Sequence, residues 1–113
     1  DVIVVVSDGV NDNIDAHEYH DCIHQYQWTA ALETAHPEQP FEANDIVSYS
    51  AVADCIARKS YWLGKDAKHF SPFARSAASY GKRYLGGKHD DITVTVAQVV
   101  AATAAATATD PHR

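Results

Sequence analysis

The 113-residue sequence contains no methionine, only five glycines and only two cysteines. An unprocessed gene product begins with methionine, but here Asp1 leads directly into an apolar run over residues 2–6. We therefore expect the chain to be a fragment of a longer protein. Its longest apolar runs fall short of the roughly 18 residues of a membrane span. The first residues also lack the basic-then-apolar order of a signal peptide.

Positive charge is also scarce, because nine Lys and Arg residues face fifteen Asp and Glu residues, for a formal net charge of −6. Nucleic-acid binding needs a basic face towards the phosphates, so this balance argues against that class of partner. An acidic surface is compatible with divalent cations. The length and the 46% hydrophobic share are those of one small globular domain.

The two cysteines, Cys22 and Cys55, both fall in segments with helical spacing and form no C-x-x-C motif. Neither a zinc knuckle nor a disulfide framework is indicated by two such residues. We interpret them as reduced thiols inside a cell.

Apolar periodicity and turn residues predict the order strand, helix, helix, helix, strand. Residues 2–6 are all Val or Ile, which is typical of a strand buried on both faces. The last strand alternates apolar and polar residues from Ile92 onwards, as a half-buried strand does. Two strands do not make a stable sheet alone. The remaining strands must come from missing chain or from another chain.

Capping residues set the predicted helix bounds. The first helix is capped by Asp12 or Asn13 and runs to about residue 34, and the second is capped by Asn44 and stops at Gly64. The third begins with Ser71 as cap and proline at its first position, and it ends near residue 80. Residues 1–100 form the predicted domain portion, and the low-complexity Ala/Thr stretch 101–113 is a predicted disordered tail.

Two short motifs, "SDGVND" and "GGKHDD", each place an acid at the end of an apolar strand beside a glycine turn. Mg²⁺ and Mn²⁺ prefer carboxylate oxygens on rigid supports, so Asp8 and Asp90 can approach one ion if the strands are neighbours. Each motif alone is more typical of a solvated turn than of a metal ligand. His20 and His24 have the spacing of a zinc pair on a helix, but solvated polar residues beside an apolar stripe are the simpler interpretation.

In their order along the chain, "SDGVND", the helical insert, "SPFARSAASYG" and "GGKHDDITV" resemble the C-terminal half of the metal-dependent type-2C serine/threonine protein phosphatases. The resemblance covers residues 2 to about 100, and "GGKHDDITV" is most like the branch with mitochondrial and plastid members. It implies an α/β (α+β) fold, part of an α-β-β-α sandwich whose antiparallel sheets are flanked by helices. In this chain that fold is incomplete.

The resemblance also implies a set of site residues. Asp8 and Asp90 match metal-ligating aspartates of the family. Asp12 and Asp91 match positions that serve a weaker metal or support the ligands, and for Asp12 helix capping is the alternative. The glycines of the two turns, Gly9, Gly86 and Gly87, would support the site.

The implied activity is hydrolysis of phosphoserine and phosphothreonine in phosphorylated protein substrates. Two Mn²⁺ or Mg²⁺ ions per complete site would activate a water for in-line attack, without a covalent intermediate. An intracellular location is expected, and a mitochondrial one rests on branch resemblance alone.

One departure limits these implications. The early family motifs, a "DGHGG"-type stretch among them, have no match here, and the phosphate-binding arginine belongs to the same missing half. We therefore expect this chain alone to be inactive. The alternatives are a phosphatase-like interaction module without catalysis, and a family cousin that dephosphorylates a regulator of transcription factors.

Overall fold

The structure, a computed structural model, describes residues 1–100 of the chain. Along the chain, five helices lie between a first and a last strand, and these two strands pair in antiparallel orientation. The predicted tail 101–113 lies outside the described residues. No helix within residues 1–100 is long and apolar enough to cross a bilayer. The elements are β1 (Val2–Val6), α1 (Asp8–Asn11), α2 (Ala16–Gln25), α3 (Ala30–Ala35), α4 (Tyr49–Lys65), α5 (Pro72–Ser79) and β2 (Val94–Gln98).

The two strands pair in a register that runs from Val2 opposite Gln98 to Val6 opposite Val94. Burial alternates along both strands. Within the described part, helices cover one face, where alternate valines pack on the core, while Ile3 and Val5 on the other face are 48% and 61% exposed. The prediction that the first strand is buried on both faces is therefore wrong for residues 1–100.

Local capping chemistry explains where the later helices begin. The Ser71 hydroxyl accepts from the Ala74 N–H at 3.0 Å and proline follows, so the predicted start of α5 is confirmed. For α4 the cap is Ser48 rather than Asn44, because Ser48 Oγ accepts from the Ala51 N–H at 3.2 Å. Asn44 instead has φ of +74°, the left-handed turn conformation that Asn tolerates.

The single first helix predicted through residue 34 is wrong. Neither Asp12 nor Asn13 caps it, since α2 begins after Asp15, whose backbone N–H donates to Glu18 Oε1 at 3.5 Å. The helix then breaks before α3, because Gln27 forms an isolated bridge with Ile46. The Trp28 N–H also donates to the Asp45 carbonyl at 2.7 Å, and this pairing with a distant segment competes with helical hydrogen bonds.

The core lies where α1, α2 and α4 meet the covered face of the strands. Packing of α2 on α4 brings Cys22 and Cys55 to a Cα–Cα distance of 5.7 Å, and the two sulfurs form a disulfide. The prediction of two reduced thiols is wrong, because sequence spacing does not reveal that the two helices face each other at these positions. Within residues 1–100, the buried members of this core cluster are Val10, Ile14, Cys22, Ile46, Val52 and Ile56.

Candidate metal centre

The two acidic motifs meet at one end of the strand pair, where β1 ends and β2 begins. Ser7 joins the two motifs through hydrogen bonds. Its backbone N–H donates to the Thr93 carbonyl at 3.0 Å. Its hydroxyl donates to the Asp91 carbonyl at 2.8 Å and accepts from the Thr93 N–H at 2.9 Å. These hydrogen bonds hold the backbone beside Asp8 against the loop that carries Asp90.

Three glycines that the sequence indicated as turn supports lie where backbone segments touch. A Cβ on Gly9 would overlap the Asp91 carbonyl oxygen and lie 2.9 Å from that of Asp90. A Cβ on Gly87 would overlap the Leu63 carbonyl, and Gly86 has φ of +104° beside the Ala67 backbone. Glycine is needed at these positions because there is no room for a side chain, or because φ is positive.

The carboxylates around this junction interact electrostatically. Burial raises the pKa of the Asp12 carboxyl above its ordinary value of 3.8; the Lys88 ammonium opposes that rise, and the negative charges of Asp8 and Asp90 add to it. Lys88 Nζ lies 3.9 Å from Asp12 Oδ2. The structure therefore brings Asp8, Asp12 and Asp90 into one acidic neighbourhood with one cationic side chain.

The donor chemistry of this neighbourhood fits a hard divalent cation. Asp8 and Asp90 are both exposed, and their carboxylate oxygens are the kind of ligand that Mg²⁺ prefers. One Asp90 oxygen, Oδ1, accepts from the Asp91 N–H at 2.8 Å, which orients the carboxylate. Asp91 contributes this N–H and its carbonyl oxygen to the loop, and its own side chain is exposed.

Within residues 1–100, one group of three potential ligand side chains comes within 4.8 Å, and it is a different one: Asp15, His17 and Glu18. Its acids already have structural partners, since the Asp15 carboxylate pairs with the Arg75 guanidinium and Glu18 Oε1 accepts from the Asp15 N–H. Mg²⁺ needs only one or two protein carboxylates and completes its shell with water. The metal role of Asp8 and Asp90 thus stays a prediction, compatible with their placement.

His20 and His24 lie on the exposed side of α2, with ring centroids 4.5 Å apart. His24 Nδ1 is 2.9 Å from Gln27 Oε1. Among the described residues, no third ligand joins the two imidazoles within the reach of one ion. This arrangement favours solvated polar residues over a zinc pair.

Sequence reasoning missed Asn13 and Ser7, the two polar side chains that join the acidic loops. Asn13 is 1% exposed and bonds to backbone groups of both loops. An asparagine shortly before a predicted helix is also typical of a helix cap, so the sequence around Asn13 carries no signal for this role. Ser7 directly precedes the motif aspartate, and a serine at the start of a turn carries no signal for this role either.

Known proteins resemble this chain in sequence and in fold. Protein phosphatase 2C homolog 7, mitochondrial, of Saccharomyces cerevisiae is 34% identical over 103 residues, which cover 88% of this chain and 25% of that protein. The 5-azacytidine resistance protein azr1 of Schizosaccharomyces pombe is 30% identical over 102 residues, covering 84% and 28%. The protein phosphatase PTC7 homolog of Xenopus laevis is 42% identical over 52 residues, covering 46% and 18%.

The crystal structure of the photosystem II phosphatase PBCP superposes with a TM-score of 0.62 and 28% identity, over 88% of this chain and 36% of that one. No protein-family model matches the chain. The chain spans about a fifth to a quarter of the length of the curated relatives it matches.

Over most of its length the chain is therefore similar in sequence and in fold to one part of the type-2C protein phosphatases. The predicted fold class, helices with antiparallel strands as part of a larger phosphatase fold, is confirmed by the PBCP structure. Among the individual proteins that this chain resembles are the PTC7 homolog, the 2C homolog 7 phosphatase and PBCP.

Proposed function

We propose that the full-length protein is a phosphatase that hydrolyses phosphoserine and phosphothreonine in proteins and depends on Mn²⁺ or Mg²⁺. One observation carries the proposal: the two acidic motifs, 82 residues apart at Asp8 and Asp90, meet at the strand end, where Ser7 bonds to the Asp91 and Thr93 backbone. Relatives that are named protein phosphatases support the reaction class.

In this proposal the chain's own residues hold cations and shape the site. Asp8 and Asp90 would each supply carboxylate oxygens from the two loops, and Asp12 would serve a weaker ion or balance charge. Two divalent cations, when bound, would supply Lewis-acid activation of water and neutralise phosphate charge. Asp91 supports Asp90 through its N–H at 2.8 Å.

Lys88 would attract the substrate phosphate towards the loops. Its Nζ lies 4.5 Å from the centroid of the Phe73 ring as well as 3.9 Å from Asp12. The aromatic face and the carboxylate hold the ammonium beside the acidic loops, so its charge is already in place before a substrate arrives. A positive charge at this point also lowers the repulsion among the aspartates.

The proposal assigns activity to the full-length protein and none to residues 1–113 alone. Two aspartates do not fill the shells of two ions, and the chain spans about a quarter of the mitochondrial 2C homolog. The exposed Ile3 and Val5 on a two-stranded sheet support a further part of the proposal, that a missing N-terminal half or another chain completes the sheets.

The test is hydrolysis of a phosphothreonine peptide by the full-length protein with Mn²⁺, beside Asp8→Asn and Asp90→Asn. Metal activation is worth several kcal/mol, so each change is expected to lower kcat/KM by about a hundredfold or more. Asp54→Asn is the matched control, because Asp54 is an exposed aspartate that pairs with Arg58 on α4. Activity that both loop variants retain would contradict the proposal, and turnover by the 113-residue chain alone would contradict its second part.

The location is proposed to be inside the cell, in mitochondria. The yeast relative, which is named a mitochondrial protein phosphatase 2C homolog, supports this. Subcellular fractionation of cells with the tagged full-length protein tests it, and a purely cytosolic distribution would contradict it.

A further inference from the structure

Asn13 is a buried amide whose polar atoms all have partners. Nδ2 donates to the Gly9 carbonyl and to the Lys88 carbonyl, each at 2.7 Å. Oδ1 accepts from the Lys88 N–H, also at 2.7 Å. The side chain therefore pairs with both backbone groups of Lys88 as a neighbouring strand would, while it holds Gly9 at the same time.

These three hydrogen bonds join the two acidic loops. Gly9 directly follows Asp8, and Lys88 lies two residues before Asp90, so the amide binds one backbone group next to Asp8 and two backbone groups close to Asp90. The loops are also in direct contact where Gly9 meets the Asp90 and Asp91 carbonyls. A change in the position of the Asn13 side chain would therefore change the separation of the two aspartates.

The surroundings of Asn13 fix its position. A Cβ built on Gly64, near the end of α4, would lie 3.3 Å from Asn13 Nδ2, a tight contact that would press on the amide. On the other side, the Asn13 carbonyl lies 2.8 Å from His69 Nε2. The residue is 1% exposed, so water does not compete for its hydrogen bonds.

We propose that Asn13 is a positioning residue that holds Asp8 and Asp90 at the separation required for divalent-cation binding, and thereby sets the affinity of the protein for Mn²⁺. The inference rests on the proposed function. Without a cation, the negative charges of Asp8, Asp12 and Asp90 repel one another and favour wider loops. The amide hydrogen bonds oppose this repulsion, so less reorganisation remains when a cation binds.

The test is Mn²⁺ binding to the full-length protein, measured by the electron paramagnetic resonance signal of free Mn²⁺, together with Mn²⁺-dependent turnover. Asn13→Leu keeps the number and branching of the side-chain heavy atoms and removes all three hydrogen bonds. The Mn²⁺ concentration for half-saturation is expected to rise by about 10- to 100-fold, the usual effect of removing a group that orients metal ligands. Turnover at saturating Mn²⁺ is expected to stay within about threefold of the parent.

Ser60→Ala is the matched control. Ser60 is a buried polar side chain on α4 whose hydroxyl donates to the Ile56 carbonyl at 2.7 Å, a hydrogen bond within the helix that involves neither acidic loop. Its loss should lower the melting temperature and leave the Mn²⁺ half-saturation unchanged. If Asn13→Leu behaves in the same way as Ser60→Ala, Asn13 is only a structural residue and the proposal is overturned.

Gly64→Ala decides the matter if Asn13→Leu does not fold. The added methyl group presses on Asn13 Nδ2, while alanine in place of a helical glycine favours the helix. The half-saturation concentration is expected to rise severalfold in a stably folded protein, and an unchanged value overturns the proposal. Mn²⁺ binding in the parent without any phosphatase turnover would instead contradict the proposed function and leave the role of Asn13 measurable.

Discussion

Individual side chains determine how closely the two acidic loops approach. Ser7 bonds to Asp91 and Thr93, and Gly9 leaves room for the Asp91 carbonyl. Asn13 adds a buried amide that bonds to both loops. The aspartates themselves are exposed, so their placement depends on these neighbouring residues rather than on packing of their own side chains.

The ion pair of Asp15 and Arg75 gives a prediction about acid stability. Hydrogen bonding to the Arg75 guanidinium lowers the pKa of the Asp15 carboxyl below its ordinary value of 3.8. The folded state therefore binds fewer protons than the unfolded state at pH values just below 3.8. The ion pair contributes its full stabilisation of the fold above pH 3.8, and this stabilisation is lost as the pH falls through the pKa of the folded state. We expect Asp15→Asn to flatten the decline of stability with acid in this range.

The measurement is the melting temperature of the two proteins between pH 6 and pH 2. Asp15 and Arg75 are partly exposed, so the difference between the two proteins should be modest and should shrink at high salt. Parallel curves for the parent and Asp15→Asn across the whole range would contradict the assignment.

Helix α4 contacts Gly87 and Asn13 through Leu63 and Gly64, and the Cys22–Cys55 disulfide joins this helix to α2. The disulfide closes a segment with a sequence separation of 33, for which the chain-entropy estimate is about 4 kcal/mol of stabilisation. We expect the Cys22→Ser, Cys55→Ser double variant to lose up to about that free energy of unfolding. Urea unfolding with and without dithiothreitol measures it.

The double variant is also its own control, because dithiothreitol should destabilise the parent towards the variant and leave the variant unchanged. A parent protein whose urea midpoint is insensitive to the reductant, with free thiols in a thiol assay, would contradict the disulfide.

Elements with strong local signals were predictable from sequence. The serine and proline at Ser71 and Pro72 fix the start of α5, and alternation from Ile92 onwards locates the region of β2. The break between α2 and α3 was not predictable, because it depends on the bridge from Gln27 to Ile46. Caps were ambiguous where several suitable residues lie close together, as at Asp12, Asn13 and Asp15.

The candidate site was predictable in part. The motifs containing Asp8 and Asp90 are visible as acids at strand ends, and antiparallel pairing of the strands explains why they meet. The disulfide and the role of Asn13 depend on contacts between segments 33 and 75 residues apart, which sequence patterns do not contain.

For the whole molecule, the described part has one covered and one exposed sheet face. The covered face packs on α4 and the core, while Ile3 and Val5 are exposed on the other. The chain aligns with about a third of PBCP, so its relatives carry much additional structure. The acidic loops lie at the end of the strands and are proposed to form one part of a larger metal site.

The most direct test is an anomalous difference map at the manganese edge, from crystals of the full-length protein grown with Mn²⁺. The account predicts a peak at about 2.0–2.3 Å from carboxylate oxygens of Asp8 and Asp90, within the usual range for hard divalent cations. Peaks only at other acidic groups, such as Asp15, His17 and Glu18, with none beside the two loops, would contradict it.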